Sequence, residues 1–379
     1  MTDIMSSHLE HPLSSPTCLC DIDPAARSVP RGPLTVPDAQ RLFASGTGYV
    51  DTAAYGLKSF PVLAAMFEAQ QRSLYGSVSP VQYHEAVTEA RRLFARIIGV
   101  PEAWVAVGAT TAGFVAMIAN AVPRGSTVLV AENEFSSACW PFGVQEEQGH
   151  YQVKTVPLKE LADAVKADVS LVVVSAAQSL DGSVADLDAI TAAAKKHGAW
   201  TLVDATQSAG WWPLDNTSYT FLVCHAYKWL TAPRGATFMV VQPEMLPLIP
   251  AIGANWYGGK NIWDSLYGMP QNLAQDARRY DQSPAWDSWV GAVPALQLID
   301  SVGVDAINRH DLRLASLFRD GMGMETVPSP IVSVRVPDAA ERLAQAGLKA
   351  SVRGGAARLS FHLYNTDSDV ERALAALGA

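Results

Sequence analysis

Several features are scarce in this sequence, and each scarcity excludes a class of protein. The 379 residues contain four cysteines, too few to build a disulfide framework in so long a chain. The net charge of −9 argues against nonspecific binding of nucleic acid. No apolar run approaches the roughly 18 residues of a membrane-spanning helix. The N-terminus lacks a basic segment followed by a long apolar stretch, so we expect no secretory signal and a cytoplasmic protein.

What the chain does contain is typical of a large folded enzyme. Hydrophobic residues make up 49% and charged residues 17%, which indicates an extensive buried core. Apolar runs such as 171–174 suit central strands that are covered on both faces. The pattern predicts strands at 105–107, 127–131, 151–156, 170–175, 200–204, 221–224 and 236–241. It predicts helices at 87–98, 112–122, 158–166 and 187–196. Alternating strands and helices favour an α/β fold with a mainly parallel sheet.

Three regions can be distinguished along the chain. Residues 1–33 are predicted to form a flexible N-terminal arm, and residues 34–275 a large ligand-binding domain. Strand spacing changes near residue 276, so we assign 276–379 to a smaller α+β C-terminal domain, with a strand at 359–363 and a helix at 368–377. His8, His11, Cys18 and Cys20 lie in the arm, but their spacing fits no standard zinc template and we assign no metal.

Lys228 is the most informative residue in the chain. Asp204 ends the apolar run 200–204, and Lys228 follows a second short strand, beside Tyr227 and Trp229. A lysine can form a Schiff base with pyridoxal phosphate, and a buried carboxylate can keep the cofactor's pyridine nitrogen protonated. Taken alone, this pair also fits a surface lysine that follows an ordinary strand.

An upstream turn strengthens the cofactor interpretation. Residues 105–113 read as a short strand, a tight turn and the start of a helix, and the turn contains Gly108, Ala109 and Thr110. Small residues allow the backbone to approach a ligand closely. The free N–H groups of a first helical turn favour a phosphate, and Thr110 adds a hydroxyl.

The ordered set of motifs resembles the fold-type I pyridoxal phosphate enzymes of the class V aminotransferase group. This group includes cysteine desulfurases, kynureninases and isopenicillin N epimerase-like proteins. The matching segments are Tyr-Val-Asp-Thr-Ala-Ala at 49–54, Gly-Ala-Thr at 108–110, Asp-Ala-Thr-Gln at 204–207, Tyr-Lys-Trp at 227–229 and Arg-Leu-Ser-Phe-His-Leu-Tyr-Asn-Thr at 358–366. The resemblance covers most of the chain and implies pyridoxal 5'-phosphate as cofactor.

The resemblance also implies roles for individual side chains around the cofactor. Gln207 matches the residue that bonds the ring hydroxyl, and Ser179 falls where a polar side chain approaches that hydroxyl, with Gln178 as the adjacent alternative. His225 and Tyr227 match candidate phosphate donors. A buried histidine at the end of a strand is the alternative interpretation of His225.

Two departures from the cysteine desulfurases narrow the expected activity. Phe135 stands where those enzymes have a histidine; its ring can stack on the cofactor but cannot carry a proton. Residues 351–357, where a mobile loop would bear the nucleophilic cysteine, form a short segment without cysteine. We therefore expect proton transfer by Lys228 and no persulfide relay.

Substrate contacts are expected from both ends of the chain. Arg358 matches the arginine that binds the substrate α-carboxylate through two parallel donors, with Arg353 as a weaker candidate. Ala53 and Ala54 are expected to line the same pocket. Trp256 belongs to a segment that, in the related group, reaches the partner subunit's active site, so we expect a homodimer with active sites at the interface.

Together these features predict an enzyme that acts on an amino acid. We expect a C–S β-lyase of an S-substituted cysteine in secondary metabolism, of the kind that the resemblance associates with ergothioneine and lincosamide-type pathways and with antibiotic biosynthesis. A decarboxylation-coupled oxidative deaminase, an aminotransferase and an epimerase would use the same residues. A non-catalytic cofactor-binding protein is a remote alternative, because Arg358 would serve a substrate rather than the cofactor.

Overall fold

A computed structural model describes residues 22–379. The helices, in chain order, are α1 (Val36–Gln40), α2 (Phe60–Leu74), α3 (Pro80–Ile98), α4 (Thr111–Ala121), α5 (Ser136–Glu147), α6 (Leu161–Ala164), α7 (Leu187–His197), α8 (Trp286–Val302), α9 (Val304–Gly321), α10 (Ala339–Gln345) and α11 (Asp367–Leu377). The strands are β1 (Val105–Gly108), β2 (Thr127–Ala131), β3 (Gln152–Val156), β4 (Val169–Ser175), β5 (Trp200–Asp204), β6 (Phe221–His225), β7 (Thr237–Val241), β8 (Ile331–Val334), β9 (Ser351–Arg353) and β10 (Ala356–Ser360).

A seven-stranded sheet forms the large lobe. Its strand order is β1-β7-β6-β5-β4-β2-β3, and only β7 runs against the others. Strands β1, β2, β6 and β7 are buried along their whole length, and β4 and β5 at all but one position each, as the continuous apolar runs predicted. Because β4, β5 and β6 are parallel neighbours, their carboxyl ends deliver Ser175, Asp204 and His225 to one edge of the sheet.

The mainly parallel α/β fold is confirmed, and the differences from prediction have local causes. Helix α3 begins at Pro80 rather than at residue 87, since Ser79 and a proline in the first turn form a favourable start. The helix predicted at 158–166 is a 3-10 turn, Leu158–Glu160, followed by the single turn α6. Helix α5 was not predicted because Pro141 lies inside it, and α8 likewise contains Pro294.

The small lobe is built on a three-stranded antiparallel sheet, ordered β8-β10-β9. The chain near residue 50 joins this sheet as well: Asp51 forms a parallel bridge with Ser360, and Tyr49 one with Lys349. Val50 is fully buried in the core of the small lobe. The N-terminal segment thereby crosses between the lobes and brings Asp51 beside β10.

The predicted domain limits can be compared with the packing of single elements. Residues 22–33 contain a 3-10 turn, Pro24–Arg27, and a buried Ile22, so this part of the predicted arm is packed on the protein. Helix α8 packs against α2 and α3 of the large lobe, although it follows the predicted boundary at residue 276. The division into domains remains a prediction.

No single helix between residues 22 and 379 is long and apolar enough to cross a membrane. Helices α8 and α9 reach the required length and composition only as a pair bent by 82°. Both helices bury apolar side chains in the protein core, although Leu317 of α9 is exposed.

Candidate active site

Lys228 lies at the centre of a group of site residues. It follows β6, is 5% exposed, and its Nζ lies 5.5 Å from the centroid of the Phe135 ring and 5.7 Å from that of Tyr227. Burial, followed by the positive charge of Arg358, lowers the pKa of Lys228 from 10.5 to about 7. A large share of this amine is therefore uncharged near neutral pH, as a nucleophile requires.

Asp204 is the carboxylate whose negative charge opposes the fall in the pKa of Lys228 most strongly. It ends β5, pairs in register with Ser175 of β4, and accepts a hydrogen bond from the backbone N–H of Thr206 at 2.8 Å. Burial raises the pKa of Asp204, while the bonds from Thr206 and the charge of Lys228 oppose that rise. Asp204 and Lys228, which were paired on the basis of sequence, therefore lie close enough for their charges to interact.

Phe135 presents its ring beside the lysine and is 47% exposed. It occupies the N-cap position of α5, where its side chain makes no capping hydrogen bond. The neighbouring Glu134 accepts hydrogen bonds from Phe135 N at 2.9 Å, from Ser175 N at 2.6 Å and from the Ser175 hydroxyl. Glu134 fixes the turn that carries Phe135 to the edge of the sheet, a role that was not predicted because Ser175 lies 41 positions away.

Arg358 is buried on β10, and the protein engages both of its terminal nitrogens. It is 1% exposed, donates from one terminal nitrogen to the carbonyl and hydroxyl of Ser179, and pairs with Asp51 at 3.4 Å. Its Nε has no partner among the described residues. Asp51 also accepts a 2.9 Å hydrogen bond from Ser351. Ser179 therefore contacts Arg358, whereas the neighbouring Gln178 donates to the carbonyl of Glu132 at 2.7 Å.

Gln207 is buried and connects three parts of the chain. Its Nε2 donates to the carbonyl of Ala53 at 2.9 Å, and its Oε1 accepts from the indole of Trp229 at 2.8 Å. Ala53 is buried and donates its N–H to the Ser360 hydroxyl, while Ala54 beside it is half-buried. One amide hydrogen of Gln207 remains for a ring hydroxyl, and that assignment stays a prediction.

Residues 108–110, which are predicted to cradle the phosphate, form the turn into α4, and their phosphate-binding role stays a prediction. Thr110 is the exposed N-cap, and its hydroxyl accepts from Gly113 N at 3.2 Å. Ala109 N donates to the side chain of Gln282 at 3.3 Å. A Cβ at Gly108 would meet that same side chain at 2.9 Å, so Gln282, which sequence reasoning missed, borders the cradle.

His225 and Tyr227 lie next to the lysine, with their rings 4.5 Å apart. The Nε2 of His225 accepts the N–H of Gly235 at 3.1 Å, which leaves the proton of the neutral ring on Nδ1, free to donate. Burial, helped by Arg234 and Lys228, lowers the pKa of His225 to about 4, so the ring is neutral at ordinary pH. Tyr227 has Arg234 over its ring at 5.0 Å.

A buried network supports the lysine segment from the small lobe. His362 bonds the carbonyl of Trp229 through Nε2 at 2.8 Å and Asp311 through Nδ1 at 2.8 Å, and both side chains are fully buried. His362 belongs to the closing motif of the chain, but no sequence pattern indicates its partners in α9 and after β6.

Trp256 has no ring contact with this group of residues. Its aromatic neighbours are Tyr257 and Trp263, at 5.1 Å and 6.0 Å. Tyr257 borders a separate cavity of about 340 Å³ beside His84 and Arg91 of α3. The expected substrate contact of Trp256 remains a prediction.

Neither of the two cysteines within the described residues presents a fully exposed thiol. Cys139 lies one turn from Phe135, closer to the site than sequence distance suggested, and its thiol faces carbonyls of the first turn of α5. Burial raises the pKa of Cys139 and that of Cys224, which is 1% exposed. Residues 22–379 contain no metal-binding cluster of His, Cys, Asp or Glu, and the arm residues His8, His11, Cys18 and Cys20 lie outside this part.

These residues fit pyridoxal phosphate. A buried lysine that is largely uncharged near neutral pH, a buried aspartate at the adjacent strand end and an exposed aromatic face beside the amine are the groups that this cofactor needs. The fold and the site together define a fold-type I pyridoxal phosphate-dependent enzyme.

Comparison with known proteins identifies the family. Residues 48–345 match the model of the family described as aminotransferase class-V, and the chain belongs to this family. The uncharacterized aminotransferase YcbU of Bacillus subtilis (strain 168) is 24% identical over 341 residues, 84% of this chain and 90% of that protein. A probable cysteine desulfurase of Aeropyrum pernix is 25% identical over 296 residues, 72% of this chain and 71% of that protein.

Solved structures share the fold at low sequence identity. The cystine C-S lyase C-DES, in complex with cysteine persulfide, superposes with a TM-score of 0.79 at 17% identity, over 88% of this chain and 97% of the other. The cysteine desulfurase CsdA of Escherichia coli gives a TM-score of 0.76 at 18% identity, over 91% and 98% of the two chains.

Proposed function

We propose that this enzyme is a C–S β-lyase that cleaves an S-substituted cysteine to a thiol, pyruvate and ammonia. The observation that carries the proposal is a buried Lys228 beside a phenyl ring, its pKa lowered by burial to about 7, with both described thiols facing protein carbonyls or buried in a strand. Such a site has a base for the Cα proton but no thiolate to accept sulfur. The C-S lyase activity named for C-DES, a neighbour in fold, is consistent with it.

Each site residue has a part in holding the cofactor and the substrate. Lys228 would hold the cofactor covalently and Asp204 its pyridine nitrogen. Thr110, the first turn of α4 and the Nδ1–H of His225 would hold the phosphate, and Phe135 would cover one ring face. Bound pyridoxal phosphate supplies an electron sink that weakens the bonds to the substrate's Cα. Arg358 would bind the α-carboxylate, its Nε being without a partner among residues 22–379.

The reaction balances without an oxidant. Once the substrate's amino group has taken its place on the cofactor, the freed Lys228 Nζ would take the proton from Cα, and the Cβ–S bond would break with its electron pair leaving on sulfur, which would then gain a proton. Hydrolysis of the remaining three-carbon fragment consumes one water and gives pyruvate and ammonia. Because Phe135 carries no titratable group, removal of the proton from Cα depends on Lys228.

A panel of L-amino acids, including S-substituted cysteines, tests this proposal through mass analysis of the products. We expect thiol and pyruvate only from the thioethers, and none from the Lys228→Ala variant. Three outcomes would contradict it: carbon dioxide with an aldehyde and oxygen uptake, amino transfer to an added keto acid, or inversion at Cα with the thioether intact.

We also propose a homodimer. Large apolar side chains are exposed on α2 and the loop after it, on α5 and in the segment before α8, namely Leu63, Phe67, Leu74, Tyr75, Trp140, Tyr267 and Met269. Exposed apolar surface on this scale favours association. Light scattering that gives the mass of one chain, 40.5 kDa, at micromolar concentration would contradict the dimer.

A further inference from the structure

The hairpin β9–β10 presents two arginines on one face. Strand β9 pairs with β10 so that Ser351 lies opposite Arg358 and Arg353 opposite Ala356. Cross-strand partners share a face, and side chains two apart along a strand return to that face. Arg353 and Arg358 therefore project from the same side of the hairpin.

That side of the hairpin is turned toward the active site. Ser351 donates to Asp51 at 2.9 Å, and Asp51 pairs with Arg358 at 3.4 Å. The hairpin turns at Gly354 and Gly355, both with positive φ. A Cβ on Gly354 would lie 3.2 Å from the side chain of Leu180, which follows the Ser179 that Arg358 contacts.

The two arginines differ in the partners that their guanidinium groups already have within the protein. Arg358 is buried and bonded to Ser179 and Asp51. Arg353 is exposed, and its one side-chain hydrogen bond goes to the carbonyl of Val352 at 2.8 Å. No carboxylate of residues 22–379 forms an ion pair with Arg353, although its positive charge acts on the pKa values of Lys228 and Asp51.

We infer that Arg353 recognises a second anionic group, a carboxylate on the S-substituent of the cysteine substrate. This inference rests on the proposed function, because Arg358 is taken there to bind the α-carboxylate. On this inference the substituent extends from the reacting carbons toward the hairpin, where Arg353, which shares a face with Arg358 and has no carboxylate partner among residues 22–379, can meet a carboxylate with two parallel donors. The substrate class is thus S-(carboxyalkyl)cysteines rather than neutral thioethers.

Two probes that differ only in charge test the inference: S-carboxymethyl-L-cysteine and its amide, S-carbamoylmethyl-L-cysteine. The measured quantity is the acid-to-amide ratio, both in kcat/KM for thiol release and in the equilibrium constant read from the cofactor's absorption change. Taking this ratio within each variant cancels the different leaving-group abilities of the two thiols.

Arg353→Met removes the charge but keeps side-chain length, and Arg335→Met is the matched control. Arg335 is exposed near the same hairpin, within 3.9 Å of a Cβ built on Gly355, and it is not among the charges that act on Lys228. We expect Arg353→Met to lower the acid-to-amide ratio about 5-fold, as for an exposed ion pair worth about 1 kcal/mol, and Arg335→Met to leave it unchanged.

The outcomes separate this inference from the proposed function. An equal loss for both probes, which leaves the ratio unchanged, would assign Arg353 to the α-carboxylate, and no loss for either probe would make it a surface residue; either overturns the inference. If no thiol is released but the binding ratio still depends on Arg353, the lyase proposal fails while the recognition of the acidic group stands.

Discussion

The chemistry of Lys228 depends on its surroundings more than on its identity. A lysine in water is almost fully protonated at neutral pH, with a pKa near 10.4. Removal from water, together with the nearby Arg358, lowers the pKa of Lys228 to about 7. Asp204 opposes this shift, although burial raises the pKa of Asp204 itself. The site therefore stabilises an amine that can attack a carbonyl.

This shift predicts a pH dependence for cofactor attachment. The folded-state pKa is lowered, so the amine is protonated below about 7 and free above it. Covalent incorporation of pyridoxal phosphate into cofactor-free protein is expected to rise with pH, with a midpoint near 7, and then to level off. Borohydride trapping and peptide mapping at each pH measure the yield at Lys228. A midpoint near 10, or label on another lysine, would contradict the assignment.

Asp204→Asn tests the role of the negative charge. The amide keeps an oxygen for the Thr206 N–H but cannot stabilise a proton on the pyridine nitrogen. We expect turnover to fall about 100-fold while the cofactor stays bound, the scale seen when one preorganised electrostatic group is removed. Asp215→Asn is the control, since Asp215 accepts the N–H of Thr217 in the same local manner but is exposed. Near-normal turnover in Asp204→Asn would mean that another group holds the ring proton.

At the scale of elements, the segment after β6 is held from two sides. On one side, the chain at Gly56 lies so close that a Cβ there would be 2.0 Å from the carbonyl oxygen of Lys228. On the other side, His362 holds the carbonyl of the next residue, Trp229. The lysine segment is thus held on one side by the N-terminal segment that crosses between the lobes and on the other by His362, which follows β10.

Gly56→Ala should therefore displace the lysine segment. A methyl group cannot fit at 2.0 Å from a backbone oxygen, so the backbone must move. We expect a loss of about 2 kcal/mol or more in the free energy of unfolding and reduced attachment of the cofactor to Lys228. Gly253→Ala is the control, because a Cβ at that loop position has no atom within 4 Å. Equal stability and equal attachment in both variants would contradict the close approach.

Asp311→Ala tests the support from the small lobe. The change leaves His362 buried without its carboxylate partner, and breaking such a pair costs about 3 kcal/mol. Asp367→Ala is the control. Arg313 lies on α9, as Asp311 does, and the control variant removes its exposed partner, which should lower the free energy of unfolding by about 1 kcal/mol or less. Urea unfolding of both variants measures the difference. A cost for Asp311→Ala no larger than the control's would show that the pair adds nothing to stability.

At the scale of the whole molecule, the sequence predicts residues at the ends of recognisable strands, but it does not predict pairs of side chains that lie far apart in the chain. Asp204 and Lys228 were recognised because each follows a buried strand, and parallel neighbouring strands bring their ends together. The pair of Asp51 with Arg358 joins residues 307 positions apart, and no pattern within a strand or helix encodes it. The same applies to His362 and Asp311, which are 51 positions apart.

The small lobe was predicted only in outline, for a related reason. Its sheet takes in the N-terminal chain at Tyr49 and Asp51, so its core combines both ends of the sequence. Strand β9 is only three residues long and partly exposed, too short for an alternating pattern to be visible. The hairpin that carries Arg353 could be located only in three dimensions.

The measurement that tests the central claim most directly is the product ratio from an S-substituted cysteine under anaerobic conditions. β-Elimination requires thiol, pyruvate and ammonia in equal amounts, at the same rate with and without dioxygen, and none of the three from Lys228→Ala. Thiol assay, pyruvate reduction and ammonia determination on one reaction mixture give this ratio. A keto acid that retains the thioether, or activity that stops when oxygen is removed, would contradict the account.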